Sequence, residues 1–336
     1  MSTGPAPATP PAPATPPAPA TPPAPATPPA PATPPAPATP PAPATPPAPA
    51  TPPAPATPPA PPADRTALDL EYSPSSRVPD LGTHLARYAD DSARARAVLP
   101  ARLDVPCGPL PEQRLDLFPA PDPHAPLFVF VHGGYWQELS KSEAAFAAED
   151  FVAAGISFAA LGYGLAPQHR LPAIMAAVSD SLWRLATGGV PLPVTPAAVH
   201  LGGHSAGAHL VAHALVEAGG RGAAGAFASA TLVSGVYDLE PLRHTYVNDA
   251  LGMDAAEARA CGLLDRLPTG LPPLVVALGE NETDAFAAQH RRFVTAARER
   301  GAEVTDLVVA GRHHFDLPFD LADPGTALGA AVRRLL

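Results

Sequence analysis

The chain has 336 residues, 51 of them proline, and carries 31 acidic against 21 basic side chains for a formal net charge of −10. With Lys141 as the only lysine and the arginines scattered, that balance speaks against nucleic acid as a partner. Two cysteines, Cys107 and Cys261, are too few for a disulfide framework, and no apolar run reaches the roughly 18 to 20 residues of a membrane-spanning helix.

Residues 5–58 are nine tandem copies of PAPATP. Proline at every second or third position removes backbone donors, and the repeat offers no large apolar side chain to bury. Residues 1–63 are therefore expected to form a disordered tail, mostly polyproline II, that acts as a spacer or docks in an aromatic-lined groove of an unidentified partner. The start, MSTGPAPATP, has neither a basic n-region nor an apolar h-region. The expected location is cytoplasmic, with no membrane partner.

Residues 64–336 have the composition of one globular domain. Short apolar runs alternate there with amphipathic stretches, which predicts an α/β fold with a mostly parallel sheet. The expected strands are 114–118, 126–131, 156–161, 198–201, 230–234, 274–278 and 303–309. Helices are expected over 142–153, 171–187, 206–218, 283–300 and 326–336. Residues 236–267 interrupt the alternation with a charged, Leu-studded segment, expected to be a small cap over the sheet edge.

Gly203-His204-Ser205-Ala206-Gly207 is a G-x-S-x-G pentapeptide lying between a strand signal and a helix signal. On such a sharp turn the flanking glycines relieve crowding, and the serine hydroxyl stands exposed at the carboxyl edge of the sheet. Ser205 is the candidate nucleophile. His132-Gly133-Gly134-Tyr135-Trp136 directly follows the strand 126–131. Glycines let backbone N–H groups approach an oxyanion, so Gly133, Gly134 and Ala206 are the candidate donors. His132 is expected to hold the loop.

In this fold the acid and then the base follow the serine in the chain. Glu280, Glu282 and Asp284 lie after the strand 274–278, and His313 and His314 lie after the strand 303–309. Spacing alone chooses neither the carboxylate nor the histidine. His209 and His213, four apart, have a zinc-like spacing. Without H-E-x-x-H or an evident third ligand, no metal or other cofactor is expected.

The segments HGGYW, SKSE, LAP and GHSAGAHL resemble the kynurenine formamidase (arylformamidase) branch of the α/β hydrolases, from about Leu70 to the end of the chain. The stretch Ser234–Leu242 is similar to the family's sequence after its sixth strand. Lipases and esterases of the hormone-sensitive type usually have a third glycine where this chain has Tyr135. The resemblance implies an α/β-hydrolase fold, with a mostly parallel central sheet, helices on both faces and a small cap. It implies Glu282 as the acid, from the family's G-E-x-D-S-P-x-F stretch, and His314 as the base, because the family's base directly precedes Phe-Asp. Glutamate stands at 282 in place of the usual aspartate, which keeps Asp284 as a substitute. Cys261-Gly262 stands where relatives often have Ser-Pro. The implied reaction is hydrolysis of an N-formyl aryl amide, such as N-formylkynurenine, through a formyl-enzyme. Tyr135 and Trp136 would wall a tight acyl pocket. The same residues would serve a short-chain carboxylesterase, and a non-catalytic binder on this fold is the remote alternative. A small-molecule substrate is the expected partner, and a homo-oligomer is left open.

Overall fold

A strand that is apolar at every position has to be covered on both faces. The computed structural model describes residues 65–336, so the tail expected over 1–63 lies outside the described residues. Its strands are β1 (Arg102–Pro106), β2 (Arg114–Phe118), β3 (Leu127–Val131), β4 (Ser157–Leu161), β5 (Val199–His204), β6 (Ser229–Val233), β7 (Leu274–Gly279) and β8 (Val304–Val309). They form one eight-stranded sheet in the order β1-β2-β4-β3-β5-β6-β7-β8. β2 is antiparallel to β1 and β4, and from β4 to β8 every pairing is parallel.

Successive residues of β3 serve two cores. Leu127, Val129 and Val131 join one apolar cluster with α4 (Leu171–Ala186), α5 (Ala206–Gly220) and α8 (Asp284–Glu299). Phe128 and Phe130 join the other, with α2 (Leu81–Val98), α3 (Ala148–Ala153) and α9 (Ala327–Arg333). On that second face Phe128 stacks on Phe151 with centroids 4.5 Å apart; burying each such ring contributes about 2 kcal/mol. Helix α5 is buried from Ala206 to Leu215 and mostly apolar there, as a helix hidden between sheet and neighbours must be, with His209 and His213 the polar exceptions. Helix α8 is amphipathic: Phe286, Phe293 and Ala297 face the sheet while its arginines face outward.

Three differences from the sequence expectations have physical causes. β1 carries no apolar run because it is a mostly exposed antiparallel edge strand with an irregular register. β5 runs on past Leu201, since Gly202 and Gly203 keep pairing with β3 and β6 although they add no apolar signal. The helix expected over 142–153 is broken into a 3₁₀ turn, Lys141–Glu143, and α3. Ser140 and Glu143 close that turn as a capping box, and the N–H of Ala145 donates to Ser92 Oγ at 3.0 Å instead of continuing a helix. Two N-terminal helices, α1 (Arg65–Glu71) and α2, add to the expected set.

The excursion at 236–267 holds two short helices, α6 (Asn248–Leu251) and α7 (Ala255–Cys261). Cys261, half of the departure noted above, closes α7 as a buried free thiol, and Cys107 is likewise buried and free. Among the described residues no helix is long and apolar enough to cross a membrane.

Candidate active site

Ser205 occupies the turn between β5 and α5 with φ 56° and ψ −119°, a backbone conformation rarely taken by residues with a side chain. Its N–H donates to Val233 O on β6 at 2.8 Å, which ties the strained turn to the sheet. The turn also brings α5 against the end of β3. A Cβ at Gly207 would collide with the carbonyl oxygens of Val131 and His132, so only glycine permits that approach.

The HGGYW loop is held from behind. The His132 ring stacks on Tyr163 at 4.1 Å, and the Tyr163 hydroxyl donates to the carbonyls of His132 (2.9 Å) and Gly133 (3.2 Å). His132 Nδ1 lies 2.9 Å from Gly133 O, and burial lowers the pKa of this imidazole to about 4. It remains neutral at pH 7, in keeping with an architectural role. With their carbonyls engaged, the loop residues keep their N–H groups free. Those of Gly133, Gly134 and Ala206 donate to no acceptor among the described residues. A Cβ on Gly133 would stand 3.1 Å from Ser205 Cβ, so the loop lies directly against the serine.

The two open choices, of carboxylate and of histidine, have different geometric outcomes. His314 Nδ1 lies 2.7 Å from Glu282 Oε2, and both side chains are buried. His313 turns away: its ring meets His84 edge-on at 4.6 Å, and its Nδ1 accepts from Phe315 N–H. Asp284 is exposed at the first position of α8, while Glu280 accepts from Gly311 N–H on the far side of the loop. Glu282 is also held at its other oxygen. Ser234 Oγ donates to Oε1 at 2.6 Å and Gly279 N–H donates to it at 2.8 Å. His204 donates from Nε2 to the backbone carbonyl of His314 at 2.9 Å, and Phe286 packs edge-on against the His314 ring at 4.8 Å. Burial, then the neighbouring His314, holds His204 well below the usual imidazole range. Sequence reasoning missed both Ser234 and His204.

Ser205 and His314 line one cavity of about 170 Å³ without being hydrogen-bonded to each other. Unliganded sites often hold such pairs apart, and they close on a substrate. Leu81, Leu85, Tyr88, Val247 and Phe315 form apolar walls, with Gly134, Tyr135 and Tyr246 beside them. Leu81, Leu85 and Tyr88 recur at i, i+4 and i+7, a helical stripe that could have pointed to α2. Tyr135, expected as a wall, is one; its hydroxyl donates to Tyr72 O at 2.7 Å. Trp136 is not. It is fully buried in the core with its edge toward His209, so its sequence position beside Tyr135 misleads. A φ of 61° at Trp136 after 48° at Tyr135 sends the two rings in different directions.

His209 and His213 serve separate partners. His209 Nε2 lies 2.9 Å from Cys261 O, and His213 Nδ1 lies 2.9 Å from Ser179 Oγ. Burial lowers His209 to about 3 and His132 to about 4. Both are neutral in either state of the chain above the unfolded value of about 6.5. Below it the unfolded chain takes up protons that the native fold refuses, so stability falls as pH drops. The urea midpoint is expected to be level from pH 8 to 6.5 and then to decline, each ring accounting for on the order of 3 kcal/mol by pH 4. A midpoint that is flat down to pH 4 would refute this.

A family model described as the alpha/beta hydrolase fold matches residues 128–268. The chain is 30% identical over 283 residues to kynurenine formamidase of Danio rerio, covering 80% of this chain and 95% of that protein. It is 30% identical over 280 residues to kynurenine formamidase of Salmo salar, covering 77% and 92%. A solved structure from Silicibacter sp., provisionally described as a thioesterase, superposes with a TM-score of 0.69 at 29% identity, covering 79% of this chain and 98% of that one.

Proposed function

Because the chain belongs to the kynurenine formamidase family of α/β hydrolases, we propose that it is an arylformamidase that cleaves N-formyl aryl amides such as N-formylkynurenine. The observation that carries this reading is the convergence of Ser205, a Glu282-paired His314 and a glycine loop with free N–H groups at one apolar-walled cavity.

The chemistry follows from the donors and acceptors present. Glu282 Oε2 accepts from His314 Nδ1–H, which fixes the tautomer and leaves Nε2 free to take a proton. Ser205 Oγ attacks the formyl carbon as its proton passes to Nε2, and the C=O electron pair moves onto oxygen. The N–H groups of Gly133, Gly134 and Ala206 stabilise that oxyanion. On collapse the C–N bond breaks, and His314 gives its proton to the departing arylamine. Water then attacks the formyl ester with His314 again taking a proton, releasing formate and restoring Ser205. The apolar walls made by Leu81, Leu85, Tyr88 and Phe315 are the surface offered to the leaving aryl group.

The test is kcat/KM on N-formylkynurenine against a p-nitrophenyl acetate series. The formamide is expected to exceed the best ester by at least tenfold. Turnover of the ester with none of the formamide would leave a short-chain carboxylesterase instead.

A further inference from the structure

Ser234, directly after β6, is fully buried with φ 51°, and its N–H donates to Ala277 O on β7 at 2.8 Å. Its hydroxyl points at the carboxylate of Glu282, 2.6 Å from Oε1. A glutamate reaches His314 through one more rotatable bond than an aspartate, and its terminal torsion is broad and weakly restrained. An unanchored carboxylate would turn about that bond and carry Oε2 away from Nδ1. Two donors prevent this: Gly279 N–H and Ser234 Oγ both engage Oε1, while Oε2 faces His314 at 2.7 Å. The Gly279 N–H belongs to the backbone, so the Ser234 hydroxyl is the removable half of the clamp.

We propose that Ser234 is a positioning residue for the acid–base pair: by holding Glu282 Oε1 it keeps Oε2 on His314 Nδ1. The proposal rests on Glu282 and His314 acting together, as above. Ser234 touches no reacting atom and acts only through Glu282.

The test compares Ser234→Ala, Ser234→Gly, Glu282→Ala and the double variant Ser234→Ala/Glu282→Ala in the full chain. It uses whichever of N-formylkynurenine or p-nitrophenyl acetate the wild-type chain hydrolyses. Ser234→Gly guards against misfolding, because glycine accepts the positive φ without strain. Both single Ser234 variants are expected to lose about 10- to 100-fold in kcat with KM within twofold. Adding Ser234→Ala to Glu282→Ala is expected to change nothing further. A kcat within twofold of wild type in Ser234→Gly overturns the proposal. So does an equal loss from Ser234→Ala with and without Glu282, which is the mark of a merely structural role. Wild-type kcat in Glu282→Ala would instead sink the acid–base assignment itself, a separate outcome.

Discussion

Replacing Ser205 with alanine is expected to lower kcat by about 10⁴-fold or more, because the remaining N–H donors and cavity can stabilise a transition state but cannot form the acyl-enzyme. The fold should survive. Alanine meets the same strain as serine at φ 56°, and the N–H that ties this turn to Val233 O is unchanged. The melting temperature is therefore expected to stay within about 3 °C of wild type. Labelling by a fluorophosphonate should vanish together with activity. Should the variant keep a hundredth of wild-type kcat, Ser205 is not the nucleophile.

Glu282→Gln should come close to that loss, at about 10³- to 10⁴-fold, although it changes only an oxygen to an NH₂. The reason lies in which end of the amide faces which neighbour. Gly279 N–H can only donate, and it points at the Oε1 position. The amide oxygen must therefore sit there, and the NH₂ must face His314 Nδ1. That nitrogen then has to accept, which moves the imidazole proton to Nε2 and blocks it from taking the serine proton. Asp284→Asn is the matching control and should leave kcat within twofold, because Asp284 is exposed at the start of α8. The assignment of the acid fails if Glu282→Gln costs less than tenfold, or if Asp284→Asn costs more.

Much of the sheet was legible because its signals are local. A strand covered on both faces is apolar throughout, and β3 and β7 are buried at every position. The turn at Ser205 was legible for the same reason, with strand, glycines and helix contiguous in the chain. The choice of Glu282 over Asp284 was legible only through the family resemblance, not from spacing. Two residues apart, they differ in whether they precede α8 or begin it, and the helix start turns one inward and the other outward. Ser234 stood in a stretch similar to the family's, but nothing gave it a role, since a single serine after a strand looks like any other until β7 brings Glu282 beside it. Trp136 misled for the opposite reason. A large aromatic next to an oxyanion loop suggests a pocket wall, whereas two successive positive φ values turn it into the core.

The first described helix also ties together segments far apart in the chain. Arg65 pairs with Asp249 across 184 positions, and Asp69 accepts the Tyr246 N–H across 177. Glu71 accepts from Thr283 and Ala285 across 212 and 214. Pro74 and Ser75, three and four residues past the end of the helix, line the cavity. Contacts this distant in sequence close late, after the entropy of the long loops between them has been lost. A chain is made from its N-terminus, so this wall is synthesised well before the segments it packs against. Until α8 and the His314 loop are made, this wall lacks its partners at Thr283 and Ala285 and the cavity lacks His314 and Phe315.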